Sequence, residues 1–199
     1  MADNLLLVIS GPSGVGKGTL VKRLVADLNI TESISCTTRC KREGETEGKN
    51  YFFISREEFE RKIKNGELLE YSNHFENFYG TPTNYVLQSL KNSDVVLEIE
   101  INGALQIKKT FDKTVLILIA PPSITELRNR LKGRNTESDS DIEMRIGRAE
   151  YELTSFKKYD YIVVNSDLEK ALEDIKSIIR AEKLKSTNQK ETMRKILEV

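Results

Sequence analysis

Charge gives this chain no direction. Its 199 residues carry 31 basic and 31 acidic side chains, so no global field draws it to nucleic acid or to an anionic membrane. Any anion site has to be built locally. Cys36 and Cys40 are its only two cysteines and His74 its single histidine, which argues against a zinc site and leaves reduced, incidental thiols. Long apolar runs are missing as well. The stretches near Leu5 and from Thr114 to Ala120 are too short to span a bilayer, and the first lacks a signal-peptide n-region and cleavage site. The expectation is a cytoplasmic protein without a membrane partner. No repeat or low-complexity tract interrupts the chain, whose length suits one α/β domain with room for an inserted subdomain.

What is present is concentrated between Leu5 and Leu20, where the apolar run LLLVIS breaks into GPSGVGKGTL. The run is long enough for a buried parallel strand. Leu20, Leu24, Val25 and Leu28 then fall on one face of a helix. Strand, glycine loop, lysine and helix is the order of a phosphate cradle. Gly11, Gly14 and Gly16 allow the backbone N–H groups of the loop, Ser13 and Val15 included, to converge on an anion at the helix N-terminus. Lys17 adds a point charge for the β and γ phosphates. Gly18 stands where the pattern usually has a Ser or Thr that helps to hold Mg²⁺, with Thr19 beside it. A nucleoside triphosphate is the expected ligand, and the metal ligand stays open.

Further along, Ser33 to Cys36 reads as a short strand entering a basic, glycine-rich segment with Arg39, Lys41, Arg42 and Lys49. Order returns at Tyr51 to Ile54. Ser55 and Glu58 form a capping pair for a short helix over Phe59 and Ile63, ended by Asn65-Gly66. Glu67 to Phe75 reads as a strand and Asn77 to Gly80 as a turn. DVVLEIEI, from Asp94 to Ile101, reads as a core strand with Glu98 and Glu100 at its carboxyl end, where they face the crevice. A helix over Ala104, Ile107 and Phe111 and a buried strand TVLILIA follow. Ser123 and Glu126 cap another helix, and Asn135 to Asp141 is a polar gap. Ile142, Ile146, Ala149, Leu153 and Phe156 line one helix face. Tyr161 to Val164 is a last strand, Leu168 to Ile179 a final core helix, and the tail beyond Lys183 is polar and weakly helical. Strands alternating with helices predict a parallel sheet with right-handed crossovers.

Five stretches in order, GPSGVGKGTL, SISCTTRCKREGETEGKNYFF, LLEYSNHFENFYGTP, VLEIEINGALQI and RLKGRNTES, resemble guanylate kinase over almost the whole chain. The resemblance implies an α/β fold with a parallel-sheet P-loop kinase core (1–34, 91–130 and 150–185), a small mixed α+β GMP-binding insert (35–90), a helical lid (131–149) and a tail (186–199). It implies transfer of the γ-phosphoryl of ATP to GMP, with Mg²⁺ as cofactor. Ser35, Arg39, Arg42, Tyr51 and Tyr79 match binders of the GMP phosphate, and Glu70 and Thr81 match readers of guanine. A carboxylate at Glu70 would accept from guanine N1–H and the N2 amine, an edge adenine lacks. Glu98 and Glu100 match a pair commonly written with aspartates, Glu98 toward Mg²⁺ or the phosphates and Glu100 toward guanine. Arg130, Arg134 and Arg145, with Arg148 nearby, match the lid and its flanks, and Asn165 a position near adenine. Lys17, Arg39, Arg134 and Arg145 are the expected catalytic set. A general base is not demanded, because the GMP phosphate is already nucleophilic.

The sequence departs from the family pattern at Gly18, Lys41, Thr81 and Glu100, without loss of a charge of the required sign. Mg²⁺ is left to Thr19, Glu98 or water. A noncatalytic guanylate-kinase-like interaction module is the competitor from another class, yet the loop lysine and lid arginines are intact. A GTPase would want an Asn-Lys-x-Asp guanine reader, and other nucleoside monophosphate kinases lack this insert pattern. The tail helix is open to packing on its own core or on a second copy, which leaves a homodimer as an option.

Overall fold

Strand β1 (Leu6–Ser10) is buried along its whole length, as its aliphatic run requires of a strand covered on both faces. The computed structural model describes residues 4–74, 76–111, 113–133 and 138–198. After β1 come α1 (Lys17–Asp27), β2 (Ile30–Glu32), β3 (Cys36–Thr37), β4 (Phe52–Phe53), α2 (Arg56–Lys64), β5 (Leu68–His74), β6 (Asn77–Pro82) and α3 (Thr83–Ser89). The second half holds β7 (Asp94–Glu98), α4 (Ile101–Thr110), β8 (Thr114–Ala120), α5 (Ile124–Lys132), α6 (Asp139–Leu153), β9 (Tyr161–Val164), α7 (Leu168–Leu184) and α8 (Lys190–Leu197).

Two sheets result. The larger is five-stranded in the order β2-β7-β1-β8-β9, with every pairing parallel. Alternation along β1 sorts the core into two layers. Leu7 and Ile9 join Leu20 and Leu24 of α1, Leu127 and Leu131 of α5, Ile142 and Ile146 of α6, and Leu172 and Ile175 of α7. Leu6 and Val8 join Val86 of α3 and Ala104 and Ile107 of α4 on the opposite face. Because β1 lies between β7 and β8, the strand order reverses there, and the carboxyl ends of β1 and β7 open a crevice at a topological switch point.

The smaller sheet, in the order β4-β3-β6-β5, is mixed: β3 and β4 run parallel, and β6 is antiparallel to both β3 and β5. Phe59 of α2 is fully buried beneath it and stacks on Phe78 at 5.3 Å. Gln106 of α4 ties this sheet to the larger one, its amide donating to the Tyr71 carbonyl at 2.9 Å and its side-chain oxygen accepting from the Tyr71 N–H at 3.3 Å. One polar side chain thus satisfies an otherwise open edge of β5.

Several local expectations are corrected. Asn77 to Gly80 is not a turn but the first part of strand β6; its turn-rich composition is overridden by pairing on both sides. The strand expected at Ser33 to Cys36 is irregular over residues 33–35 and reaches a strand only at Cys36, the start of β3 in the small sheet, while β2 of the large sheet ends before it at Glu32. Ile101 opens α4 instead of closing β7. Helix α6 starts at Asp139, inside the expected polar gap, because Ser138 and Asp141 form a full capping box that satisfies its first N–H groups. Phe156 lies in a short 3₁₀ segment, Thr154–Lys158. Helix α3 had no counterpart in the sequence reading. No helix among the described residues is long and apolar enough to cross a membrane.

Candidate active site

The loop after β1 takes its shape from glycine. At Gly11 a Cβ would meet the Ile119 carbonyl oxygen at 2.2 Å, so the strand can turn out of the sheet only without a side chain. Gly16 caps α1 in a left-handed conformation with no side-chain cap bond, which leaves the first helical N–H groups directed at the crevice, as anion binding needs. The Lys17 ammonium spans the loop, donating to the Gly11 and Pro12 carbonyls at 2.7 and 3.0 Å. Behind the loop, the buried Asn165 donates to the Val15 carbonyl at 2.7 Å and its backbone carbonyl accepts from Arg130 at 3.0 Å. Arg130 is also paired with Glu126. Asn165 therefore braces the loop and Arg130 holds Asn165, and neither residue is among those lining the cavity.

A cavity of about 630 Å³ opens in front of the loop and is lined by residues of both sheets and of α6. Its lining brings together Gly11, Ser13, Lys17 and Glu98 from the loop and the end of β7 with Ser35, Arg42, Tyr51, Tyr79 and Glu70 from the segment that carries the small sheet. Glu100 lies between α6 and Glu70. Thr81 lies directly behind Glu70, fully buried, and its hydroxyl donates to Glu70 Oε1 at 2.7 Å. Glu70 is itself 4% exposed. Burial pushes its carboxyl up to about 7, the Thr81 hydrogen bond opposes this, and the neighbouring Glu100 charge adds to it. Glu70 thus titrates near neutrality.

The arginines divide into two groups. Arg42 lines the cavity. Arg39 does not, because Glu45 takes its guanidinium in a two-point pair at 2.7 and 3.0 Å, and the fork lies over the Tyr51 ring at 5.5 Å. Glu45 also accepts from the Arg42 N–H at 2.8 Å. The Arg39 hydrogen bond, with that N–H second, holds the Glu45 carboxyl down at about 2, so this clamp persists until the pH falls from the ordinary carboxylate range toward that value. From the other wall, Arg145 of α6 donates to the Ser13 hydroxyl at 2.8 Å. One turn on, Arg148 bonds Glu100 at 2.9 Å and Glu152 at 2.8 Å. Helix α6 therefore reaches both the phosphate loop and the acidic end of the cavity. Arg134 lies outside the described residues.

The sequence reading missed Ser72, Ile99, Met144, Ala149 and Glu152, which also line the cavity, and Glu45 and Gly103, which shape it. A Cβ on Gly103 would lie 2.3 Å from Glu70 Oε2 and 2.9 Å from its Cδ, so the Glu70 carboxylate rests against a bare turn of α4. Gly103 falls in the stretch that carries the family resemblance, but nothing in its local spacing signals a partner thirty-odd residues away. Thr19, by contrast, is exposed on α1 and is not among the cavity-lining residues. Cys36 is buried, and burial first of all pushes its thiol up to about 12, which makes it an inert core residue.

A buried parallel strand, a glycine loop opening onto a helix N-terminus and a lysine across its mouth define a P-loop nucleotide-binding protein of the NTPase fold. A crystal structure of guanylate kinase from Anaplasma phagocytophilum superposes with a TM-score of 0.78 at 35% identity, covering 96% of this chain and 93% of that one. A guanylate kinase of Caldanaerobacter subterraneus subsp. tengcongensis is 49% identical over 98% of this chain and 96% of its own length. That of Bacillus subtilis is 46% identical over 98% of this chain and 97% of its own length. The family model described as guanylate kinase matches residues 3–182. The chain belongs to the guanylate kinase family.

Proposed function

We propose that the chain transfers the γ-phosphoryl group of ATP to GMP, giving ADP and GDP, within this cavity. The observation that carries the reading is that one cavity is lined both by a phosphate loop with Lys17 and by a buried, threonine-backed carboxylate, Glu70. In this reading the loop amides from Gly11 to Thr19 and Lys17 hold the ATP phosphates, with Arg130 and Asn165 bracing that loop on the adenine side. Ser35, Arg42, Tyr51 and Tyr79 receive the GMP phosphate, and Arg39 supplies positive charge from behind the two tyrosines. Glu70 and Thr81 read guanine, whose N1–H and N2 amine match a carboxylate acceptor, while an adenine would leave that carboxylate unpaired at a cost of several kcal/mol. Glu100, held by Arg148, fixes the guanine end.

The chemistry then rests on positioning and charge. The GMP phosphate is the nucleophile, so no side chain has to remove a proton. Charge that spreads over the transferring group is met by Lys17 from below and Arg145 from α6, with Arg134 assigned to the same task by the family resemblance. In this reading the division of labour is a P-loop core (1–34, 91–130, 150–185), an acceptor insert (35–90) and a lid (131–149) that excludes water on closing. Mg²⁺ is the proposed cofactor. Among the described residues no group of three or more His, Cys, Asp or Glu forms a metal cage, so a cation here would be shared with the triphosphate. The oxygen donor the cavity offers it, Glu98 beside Lys17, suits a hard divalent ion. Glu98 would hold such an ion beside Lys17, and the ion would supply positive charge to offset the negative charge of the phosphates.

The test is ADP release in a coupled assay with ATP and each of GMP, AMP, UMP and TMP. Turnover with GMP well above the other three supports the reading, and absence of turnover with GMP overturns it.

A further inference from the structure

We propose that Glu98 supplies, from the end of β7, the metal-facing oxygen that a hydroxyl directly after the loop lysine supplies in other Walker loops, and that position 18 is glycine to leave room for that carboxylate. The proposal rests on the reading of this site as one for ATP and a divalent cation.

Gly18 is the second residue of α1. Its φ is not among the positive ones, so the backbone makes no demand for glycine, and a glycine inside a helix costs about 1 kcal/mol relative to alanine. Space is what it provides. A Cβ at position 18 would stand 3.2 Å from Glu98 Oε2, 3.8 Å from Oε1 and 3.9 Å from Cδ. The carboxylate therefore crowds the space that the side chain of a Ser or Thr would need. Register explains how it gets there. Glu98 pairs with Ile9 at the carboxyl edge of the sheet, one strand over from the loop, and an aspartate would fall short by one C–C bond of about 1.5 Å. Glu98 lines the cavity with Lys17, and its charge is felt by both Lys17 and Lys22. Thr19, the next hydroxyl in sequence, is not among the residues lining the cavity. A carboxylate also brings a full negative charge where the hydroxyl brings none, which favours a hard divalent cation among phosphate oxygens.

The two positions should therefore behave as a unit. The experiment titrates Mn²⁺ into the full-length protein with saturating ATP and no GMP, reading free and bound metal by electron paramagnetic resonance, alongside metal-free ATP binding by calorimetry. Glu98→Gln is expected to weaken Mn²⁺ binding about tenfold or more, with metal-free ATP binding no weaker, because a negative charge beside the phosphates is removed. Glu98→Asp should lose part of the affinity, and the swap Gly18→Ser/Glu98→Asp should recover most of that loss, a non-additivity that independent sites do not give. Glu98→Asp and the swap carry the test should Glu98→Gln fail to fold. Unchanged Mn²⁺ affinity in the single variants, or a swap no better than Glu98→Asp alone, overturns the proposal. A wild-type protein that does not bind ATP at all would instead overturn the reading beneath it.

Discussion

Acidification should weaken GMP binding through one residue. With Glu70 titrating at about 7, the carboxylate form makes up about ten elevenths of the unbound protein near pH 8 and about one eleventh near pH 6. Only the carboxylate accepts from both guanine donors, whereas the protonated acid presents a competing O–H. The apparent GMP affinity should therefore fall about tenfold across that interval, and binding near neutrality should release a proton. Calorimetry in two buffers of different ionisation enthalpy reads that proton directly, and KM for GMP reads the affinity. The GMP phosphate has its own ionisation near pH 6, so the Glu70→Gln variant sets the baseline that isolates Glu70. The sign carries over to stability. Because the folded carboxyl lies above its unfolded value of 4.5, the protein without ligand should lose stability as pH rises from there toward 7, and bound GMP should restore more of it at the higher pH. A KM for GMP that varies with pH no more in the wild type than in Glu70→Gln would refute the reasoning.

Other outcomes follow from single contacts. Gly103→Ala places a methyl group 2.3 Å from Glu70 Oε2 and should lower kcat/KM for GMP on the order of a hundredfold by displacing that carboxylate, while KM for ATP stays put; equal losses for both substrates in steady-state kinetics would contradict it. Glu45→Gln loosens the clamp on Arg39 and the Arg42 backbone and should raise KM for GMP severalfold with a smaller change in kcat, whereas an unchanged KM for GMP would mean that Glu45 is only structural filler. Phe59→Ala empties the space beneath the small sheet and should cost about 3–5 kcal/mol of unfolding free energy in urea denaturation, with a loss below 1 kcal/mol counting against the packing account.

Much of the core was readable because its signals are local. The run from Leu5 to Ser10, the glycines that follow and Lys17 lie in one stretch of chain, and their strand, loop and helix need no distant partner to be recognised. TVLILIA declares a strand buried on both faces for the same reason. Signals that depend on pairing did not carry through. Asn77-Phe-Tyr-Gly80 has the composition of a turn and becomes a strand only because Cys36, Thr37 and the β5 residues supply its hydrogen bonds. Ile30–Glu32 is too short to announce itself and is held by β7. The same limit applies in the cavity. Lys17, Arg42, Glu70 and Tyr79 were named from sequence, Glu70 through the family resemblance alone, and they line one cavity. That Glu45 takes up Arg39, that Asn165 braces Val15, and that carboxylates lie against Gly18 and Gly103 are relations between distant positions. No periodicity encodes them.

The central claim is that the phosphoryl group leaves ATP for GMP, and the most direct measurement is chromatographic quantification of all four nucleotides during incubation with ATP, GMP and Mg²⁺. The account predicts ADP and GDP appearing one for one as ATP and GMP disappear, with Lys17→Met abolishing both. ADP accumulating without GDP, or neither product appearing, would contradict it.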